Sequence, residues 1–118
     1  MTERIIGFAI DAHRHFGPGL LESVYEQCLS YELGQAGIPH ECQASLPVIY
    51  KHIRLESAFR ADILVADQFI VELKSVERFS PVHEAQLLTY LRMTGYRVGL
   101  LMNFNTLRLK DGLRRFVM

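Results

Sequence analysis

Three side chains in the middle of the chain have the types and spacing to do chemistry: Asp62, and Glu72 and Lys74 two residues apart. Glu72 and Lys74 belong to Phe69-Ile70-Val71-Glu72-Leu73-Lys74-Ser75, whose β-branched and aromatic residues predict a strand. Phe69, Val71 and Leu73 then face one way, and Ile70, Glu72 and Lys74 the other. An acid and a base on so apolar a strand are costly to bury unless something pairs with them. Asp62 lies on the preceding predicted strand, Ile53–Ala66, which reaches the next one through a turn at Asp67-Gln68. A two-residue loop there would set Asp62 against Leu73 and mix the two faces. A three-residue loop, Ala66-Asp67-Gln68, sets Val65 against Phe69, Ile63 against Val71, Ala61 against Leu73 and Asp62 against Glu72. The expectation is a cross-strand pair of carboxylates with Cα atoms about 4.5–5.5 Å apart. Such a pair repels itself unless a cation or a proton lies between the two groups.

The elements that must position this trio follow from periodicity and breakers. Glu3 to His15 predicts a first helix, with Ile5, Phe8, Ala9, Ala12 and Phe16 at helical spacing, closed by Phe16-Gly17-Pro18-Gly19. His13 and His15 are two apart and do not share a helical face, which argues against a metal pair. A second helix spans about Leu20 to Gln35, with Leu21, Val24, Cys28 and either Leu29 or Tyr31 as its apolar stripe. Glu22 stands in its first turn, where a carboxylate gains from the helix N-terminus. His40 to Tyr50 predicts a strand that Pro47 confines to a sheet edge, and Lys51-His52 a tight turn. On the next strand Ile53, Leu55, Phe59, Ala61, Ile63 and Val65 share one face, and Arg54, Glu56, Arg60, Asp62 and Leu64 the other. Ser80-Pro81 starts a helix that runs to about Thr94 and ends at Gly95. Val82, Ala85 and Leu88 are its expected packing side; Gln86, Tyr90 and Met93 form another line. Arg97 to Phe104 is almost continuously apolar, so the strand–helix–strand crossover predicts a strand parallel to Phe69–Ser75 and covered on both faces. Leu107 to Met118 alternates around Asp111-Gly112, a hairpin signal.

Composition narrows the classes. A chain of 118 residues, 49% hydrophobic, buries one core without staples, and no low-complexity stretch points to disorder. Cys28 and Cys42 have no C-x-x-C spacing, which argues against a structural zinc or a disulfide framework and fits a reducing cytoplasm. No apolar run reads as a signal peptide or membrane span. The 13 basic and 13 acidic residues balance, against a chain whose main work is coating nucleic acid. From Arg97 onward, however, Arg97, Arg108, Lys110, Arg114 and Arg115 against Asp111 leave +4. A basic end suits a carboxylate metal site with a patch that meets phosphate; a charge-protected edge strand is the plainer alternative.

Helix, three-strand meander, helix, strand, with Glu22 leading, Asp62 on the second strand, Glu72-Leu73-Lys74 on the third and Gln86 on the following helix, resembles the PD-(D/E)XK nuclease superfamily. Gly19-Leu20-Leu21-Glu22-Ser23-Val24-Tyr25 is similar to the signature of its GxxExxY family. Phe59-Arg60-Ala61-Asp62, Val71-Glu72-Leu73-Lys74, Pro81-Val82-His83, Gln86-Leu87-Leu88-Thr89-Tyr90-Leu91 and Leu109-Lys110-Asp111-Gly112 look like further family segments. The resemblance implies a restriction-endonuclease-like αβββαβ core, a mixed sheet flanked by helices with a C-terminal hairpin or extra strand, as one domain over residues 1–118.

It also implies a site. Glu22, Asp62, Glu72, Lys74 and Gln86 are the catalytic set carried over. Mg²⁺, with Mn²⁺ as a substitute, is hard and prefers oxygen ligands, which Asp62 and Glu72 would supply, the Leu73 carbonyl adding a third. Glu22 would bind through water or a second ion, Lys74 would position the attacking water or neutralise charge on the phosphorane, and Gln86 would act as an outer support. The implied activity is metal-dependent phosphodiester hydrolysis, with DNA as the expected partner, no membrane, and a homodimer as one way to hold a duplex. A module that keeps the fold to bind nucleic acid or a protein is the competing function. The competing structural account of Asp62, Glu72, Lys74 and Arg60 is a buried ion-pair network that fixes strand register. Tyr25 and Tyr90 read as packing residues with satisfied hydroxyls.

Overall fold

The Phe69–Lys74 segment becomes the centre of the sheet because both of its faces find apolar partners. The computed structural model describes residues 1–118. In chain order it contains α1 (Thr2–Phe16), α2 (Glu22–Gln35), β1 (His40–Tyr50), β2 (Ile53–Val65), β3 (Phe69–Lys74), α3 (Pro81–Thr94), β4 (Val98–Asn103) and β5 (Leu113–Val117). The strands lie in the order β1-β2-β3-β4-β5. β1 to β3 form an antiparallel meander, β4 is parallel to β3, and β5 returns antiparallel along the far edge. A five-stranded mixed sheet flanked by helices is a restriction-endonuclease-like architecture. Pro47 lies, as expected, on an edge strand.

α1 and α2 cover one face of the sheet, where Ile63, Val71, Leu73 and Leu100 meet Ile5, Ala9 and Leu29. α3 covers the other, where Leu64, Ile70 and Leu101 meet Leu87 and Leu91. β3 and β4 are therefore buried on both sides, which is why they read as apolar runs rather than alternating ones. Ser80 precedes α3, Pro81 opens it, and Gly95 closes it in a left-handed conformation at φ 79. The three-residue-loop register holds as far as Ile63: Val65 pairs with Phe69 and Ile63 with Val71, but the ladder continues neither to Asp62 and Glu72 nor to Ala61 and Leu73.

Four expectations change. α2 buries Tyr25, Leu29 and Leu33 and leaves Leu21 and Tyr31 exposed. Its apolar residues ring the helix, and the Tyr25 ring, stacked on Phe104 with centroids 4.3 Å apart, fixes the inward side. α3 packs through Leu87 and Leu91 while Val82 and Ala85 stay exposed. The reason is Gly99 on β4, where an added Cβ would come within 3.0 Å of the Leu87 side chain; its absence lets Leu87 sit directly on the sheet. Ala61 does not share a face with Ile63. Ile63 and Val65 join the α1–α2 core, whereas Ala61 joins the α3 core, so β2 changes face at Asp62. Finally, Asp111-Gly112 does not turn a hairpin: Leu109–Gly112 is a turn of 3₁₀ helix leading into β5, so the extra strand is what the C-terminus adds.

Gly112 shows how tightly that last turn is seated. A Cβ there would lie 2.4 Å from the carbonyl oxygen of Asn103, a backbone atom that cannot move aside. Gly7, inside α1, has nothing within 4 Å of its missing Cβ. Gly112→Ala is expected to lower stability by about 1–3 kcal/mol through overpacking. Gly7→Ala is expected to raise it by about 0.5–1 kcal/mol through helix propensity. Urea denaturation of the two variants beside the parent chain measures both signs.

Candidate active site

Glu72 faces the α3 side of the sheet, in step with Ile70, and is buried, with 8% of its surface exposed. Its Oε1 has no hydrogen-bond partner, the one such buried side-chain atom in the chain. Burial first, and the neighbouring Asp62 charge second, push its pKa from 4.5 up to about 9, with Lys74 offsetting part of the rise. Two acids and an amine thus share one electrostatic neighbourhood. Lys74 is half-buried at the end of β3 and takes part in no ion pair; the only two ion pairs in the chain join Met1 to Glu3 and Arg54 to Glu56.

Asp62 is held by a departure from regular pairing. The β2–β3 ladder stops at Ile63 and Val71, one step before Asp62 would pair with Glu72. In place of a further rung, the Leu73 N–H donates to Asp62 Oδ2 at 2.7 Å. The other oxygen, Oδ1, is reached by the side-chain amide of Gln43 at 3.4 Å, and the same Nε2 donates to Glu26 on α2 at 2.6 Å. Gln43 has φ 52, a left-handed conformation uncommon for a residue with a side chain. Around it β1 also changes face, Cys42 packing with the α1–α2 core and Ala44 with the α3 core. The paired face switch at Gln43 and Asp62 turns Asp62 toward β3.

The Gly19-to-Tyr25 motif positions Glu22 from the opposite side. Gly19 has φ 106, and the buried Tyr25 hydroxyl donates to the Gly17 carbonyl while accepting from the Leu20 N–H at 3.3 Å. With that loop clamped, Glu22 Oε2 accepts the Ser75 N–H at 3.0 Å and Ser75 Oγ donates to the Leu20 carbonyl. Glu22 therefore stands at the C-terminal end of β3, exposed, bound to the backbone just past Lys74. Asn103, buried at the end of β4, accepts from the Val76 N–H at 3.1 Å and donates to the Val76 carbonyl at 2.8 Å, fixing the segment that leaves β3.

Gln86 is exposed on α3. One turn further on, Tyr90 stacks on Phe59 with ring centroids 4.1 Å apart and planes 5° from parallel. Its hydroxyl pKa is raised by burial and then by the Glu72 and Asp62 charges, so Tyr90 lies within electrostatic reach of the acid pair. Tyr25 has the satisfied hydroxyl expected of it, whereas the Tyr90 hydroxyl has only the field of the two carboxylates acting on it.

No group of three or more His, Cys, Asp or Glu side chains converges in the chain. Asp62 and Glu72 meet as a pair, Lys74 adjoins them, and Glu22 reaches the same strand end separately. The pair suits a hard cation: its oxygens are the donor type such an ion prefers, and the partnerless Glu72 Oε1 is an acceptor that the protein itself leaves unused. Gln43, Glu26, Asn103 and Tyr90 are site residues that motif and spacing do not single out. Only Tyr90, at helical spacing from Gln86, carried a signal.

A mixed sheet that brings an acid from β2 beside an acid and an amine of its central strand β3 defines the class, a nuclease-like α/β fold. Residues 1–116 match the family model of the PD-(D/E)XK nuclease superfamily, and the chain belongs to that superfamily. Neither a curated protein nor a solved structure matches it.

The shifted Glu72 sets a pH dependence. Below pH 4.5 the carboxyl is protonated whether the chain is folded or not; between 4.5 and about 9 only the folded chain keeps the proton. With metal removed by chelation, stability contributed by this group should fall as pH rises through that window and level off above it. Urea midpoints measured across the window should show the decline in the parent chain, and a shallower one in Glu72→Gln.

Proposed function

We propose that this chain is a metal-dependent nuclease of the GxxExxY kind, hydrolysing phosphodiesters of DNA in the cytoplasm. The observation that supports the reading most directly is Glu72, a buried carboxyl beside a second one, with an oxygen that no protein donor reaches. Asp62 and Glu72 would hold Mg²⁺, or Mn²⁺ in its place, with the Leu73 carbonyl as a further oxygen and Glu22 acting through water. When bound, the ion supplies Lewis-acid polarisation of the scissile phosphate and an acidified water for in-line attack.

The chain's own groups do the rest. Lys74 projects from the same face as Glu72, about 6.6 Å further along the strand, and neutralises charge that grows on the phosphate oxygens. Asp62, tethered by the Leu73 N–H, keeps its second oxygen in a fixed orientation. Gln86 orients the lysine or the water from the α3 side, and Tyr90 excludes bulk solvent beneath it.

A second reading, a nuclease fold retained only to bind nucleic acid, draws on the same pair. At neutral pH a Glu72 carboxyl with a pKa near 9 keeps its proton, and both Asp62 oxygens already have donors, so the pair is stable without an ion.

Cleavage of plasmid and oligonucleotide DNA with Mg²⁺ or Mn²⁺ separates the two. Lys74→Ala and Glu72→Ala should each reduce the rate by about 100-fold or more while circular dichroism shows the fold retained. Undiminished cleavage by both variants would assign the activity to a contaminant. Salt-dependent DNA binding that survives Glu72→Ala, with no cleavage by the parent chain, would establish the binding module instead.

A further inference from the structure

The basic residues near the C-terminus do not form one patch. Arg114 and Arg115 stand on β5, opposite Leu101 and Leu100, and the Arg114 guanidinium lies over the Phe79 ring. Arg108 and Lys110 go elsewhere. With Arg14 from the last turn of α1 they line a cleft of about 370 Å³, together with His13, Gly17 and Leu109. No carboxylate lines it, and none of the three cations is in an ion pair. Arg14 alone is explained by the negative end of the α1 dipole. Arg108 and Lys110 approach from a segment outside any α-helix, so three like charges are held around one concavity at an electrostatic cost that an anion would relieve.

The cleft is rigid. Leu109, buried in the core between exposed Arg108 and Lys110, anchors the turn that presents them. The seated Gly112 backbone pins the end of that turn. Buried His13 ties the facing wall across the gap, its Nε2 lying 3.1 Å from the Phe104 carbonyl and 2.8 Å from the Thr106 carbonyl. Both walls also connect to the acid site. The Phe104 N–H donates to the Lys74 carbonyl at 2.9 Å, and Gly17 begins the clamped loop that leads to Glu22. The cleft therefore opens at the same end of the sheet as Lys74 and Ser75.

We propose that Arg14, Arg108 and Lys110 form a phosphate-binding subsite for the nucleic-acid backbone, beyond the Glu22 edge of the acid site. This rests on the nuclease reading for its ligand, and adds where the strand outside the scissile position is held. A strand placed with one phosphate beside Lys74 passes the Ser75–Glu22 junction and the Gly17 loop before it reaches the cleft. The contact is to charge and not to bases, so it confers affinity without sequence preference.

Fluorescence anisotropy of a labelled duplex of about 20 base pairs, in chelator and over about 50 to 200 mM salt, tests this. Arg108→Ala/Lys110→Ala should weaken binding by about 10-fold or more at the low-salt end and flatten the plot of log K against log salt by about 1.8. The charge-matched control Arg97→Ala/Arg115→Ala should leave that slope within about 0.5 of the parent value. Equal losses in the two double variants, or none in the cleft variant while the parent binds, would overturn the subsite and leave the nuclease reading standing. A parent chain that binds no duplex at low salt would overturn the subsite, and one that also cleaves no DNA with Mn²⁺ would overturn the nuclease reading with it.

Discussion

Everything near the candidate site depends on one buried acid lying beside another. Glu72 is carried on one of the two strands covered on both faces, between two apolar cores, where an ionised carboxylate is poorly solvated. Desolvation outweighs the Coulomb attraction of Lys74, so the carboxyl holds a proton to about pH 9. A hydrophobic side chain of similar size would be cheaper at this position. An acid here is a local conflict between sequence and fold, and such conflicts concentrate where function has set the residue.

The surrounding structure converts that conflict into a fixed geometry. On one side, β2 gives up a rung of its ladder so that Asp62 can take the Leu73 N–H. Gln43 accepts an unfavourable backbone conformation and joins Asp62 to Glu26. On the other side, Tyr25 clamps the loop that delivers Glu22 to Ser75, and Asn103 fixes the backbone at Val76. Three separate devices, from β2, α2 and β4, converge on the end of β3 and the two residues after it. Each uses backbone groups that would otherwise end the strand unpaired, so strand termination and site construction are one problem solved together.

Much of this was legible from the chain, and the exceptions have physical causes. Element order, the parallel β4 and the three-residue loop after β2 follow from periodicity, because a one-residue slip would have set the Ile63–Val65 face of β2 against the Glu72 side of β3. Spacing defines the helix faces less sharply. α2 has apolar residues all round, so spacing leaves Leu29 and Tyr31 as alternatives; the Tyr25–Phe104 stack turns the Leu29 side inward and leaves Tyr31 exposed. The Gln43–Asp62 contact was hidden by an irregularity. With Tyr50 opposite Ile53, an unbroken hairpin would place Gln43 against Arg60. The bulge around Ser57, itself left-handed at φ 54, adds two residues to β2 and brings Asp62 opposite instead. A bulge formed by ordinary serine and alanine residues leaves no mark in composition. Nor could the sequence reveal that Arg108 and Lys110 part company with Arg114 and Arg115, since that division depends on where Leu109 finds the core.

The central claim is that the Asp62–Glu72 pair exchanges a proton for a divalent cation. Calorimetric titration with Mn²⁺ at pH 7, repeated in buffers of different ionisation enthalpy, measures that exchange directly. The account predicts binding that releases close to one proton per ion in the parent chain, with both the binding and the release lost in Glu72→Gln. Binding of equal strength in Glu72→Gln, or binding with no proton released, would contradict it.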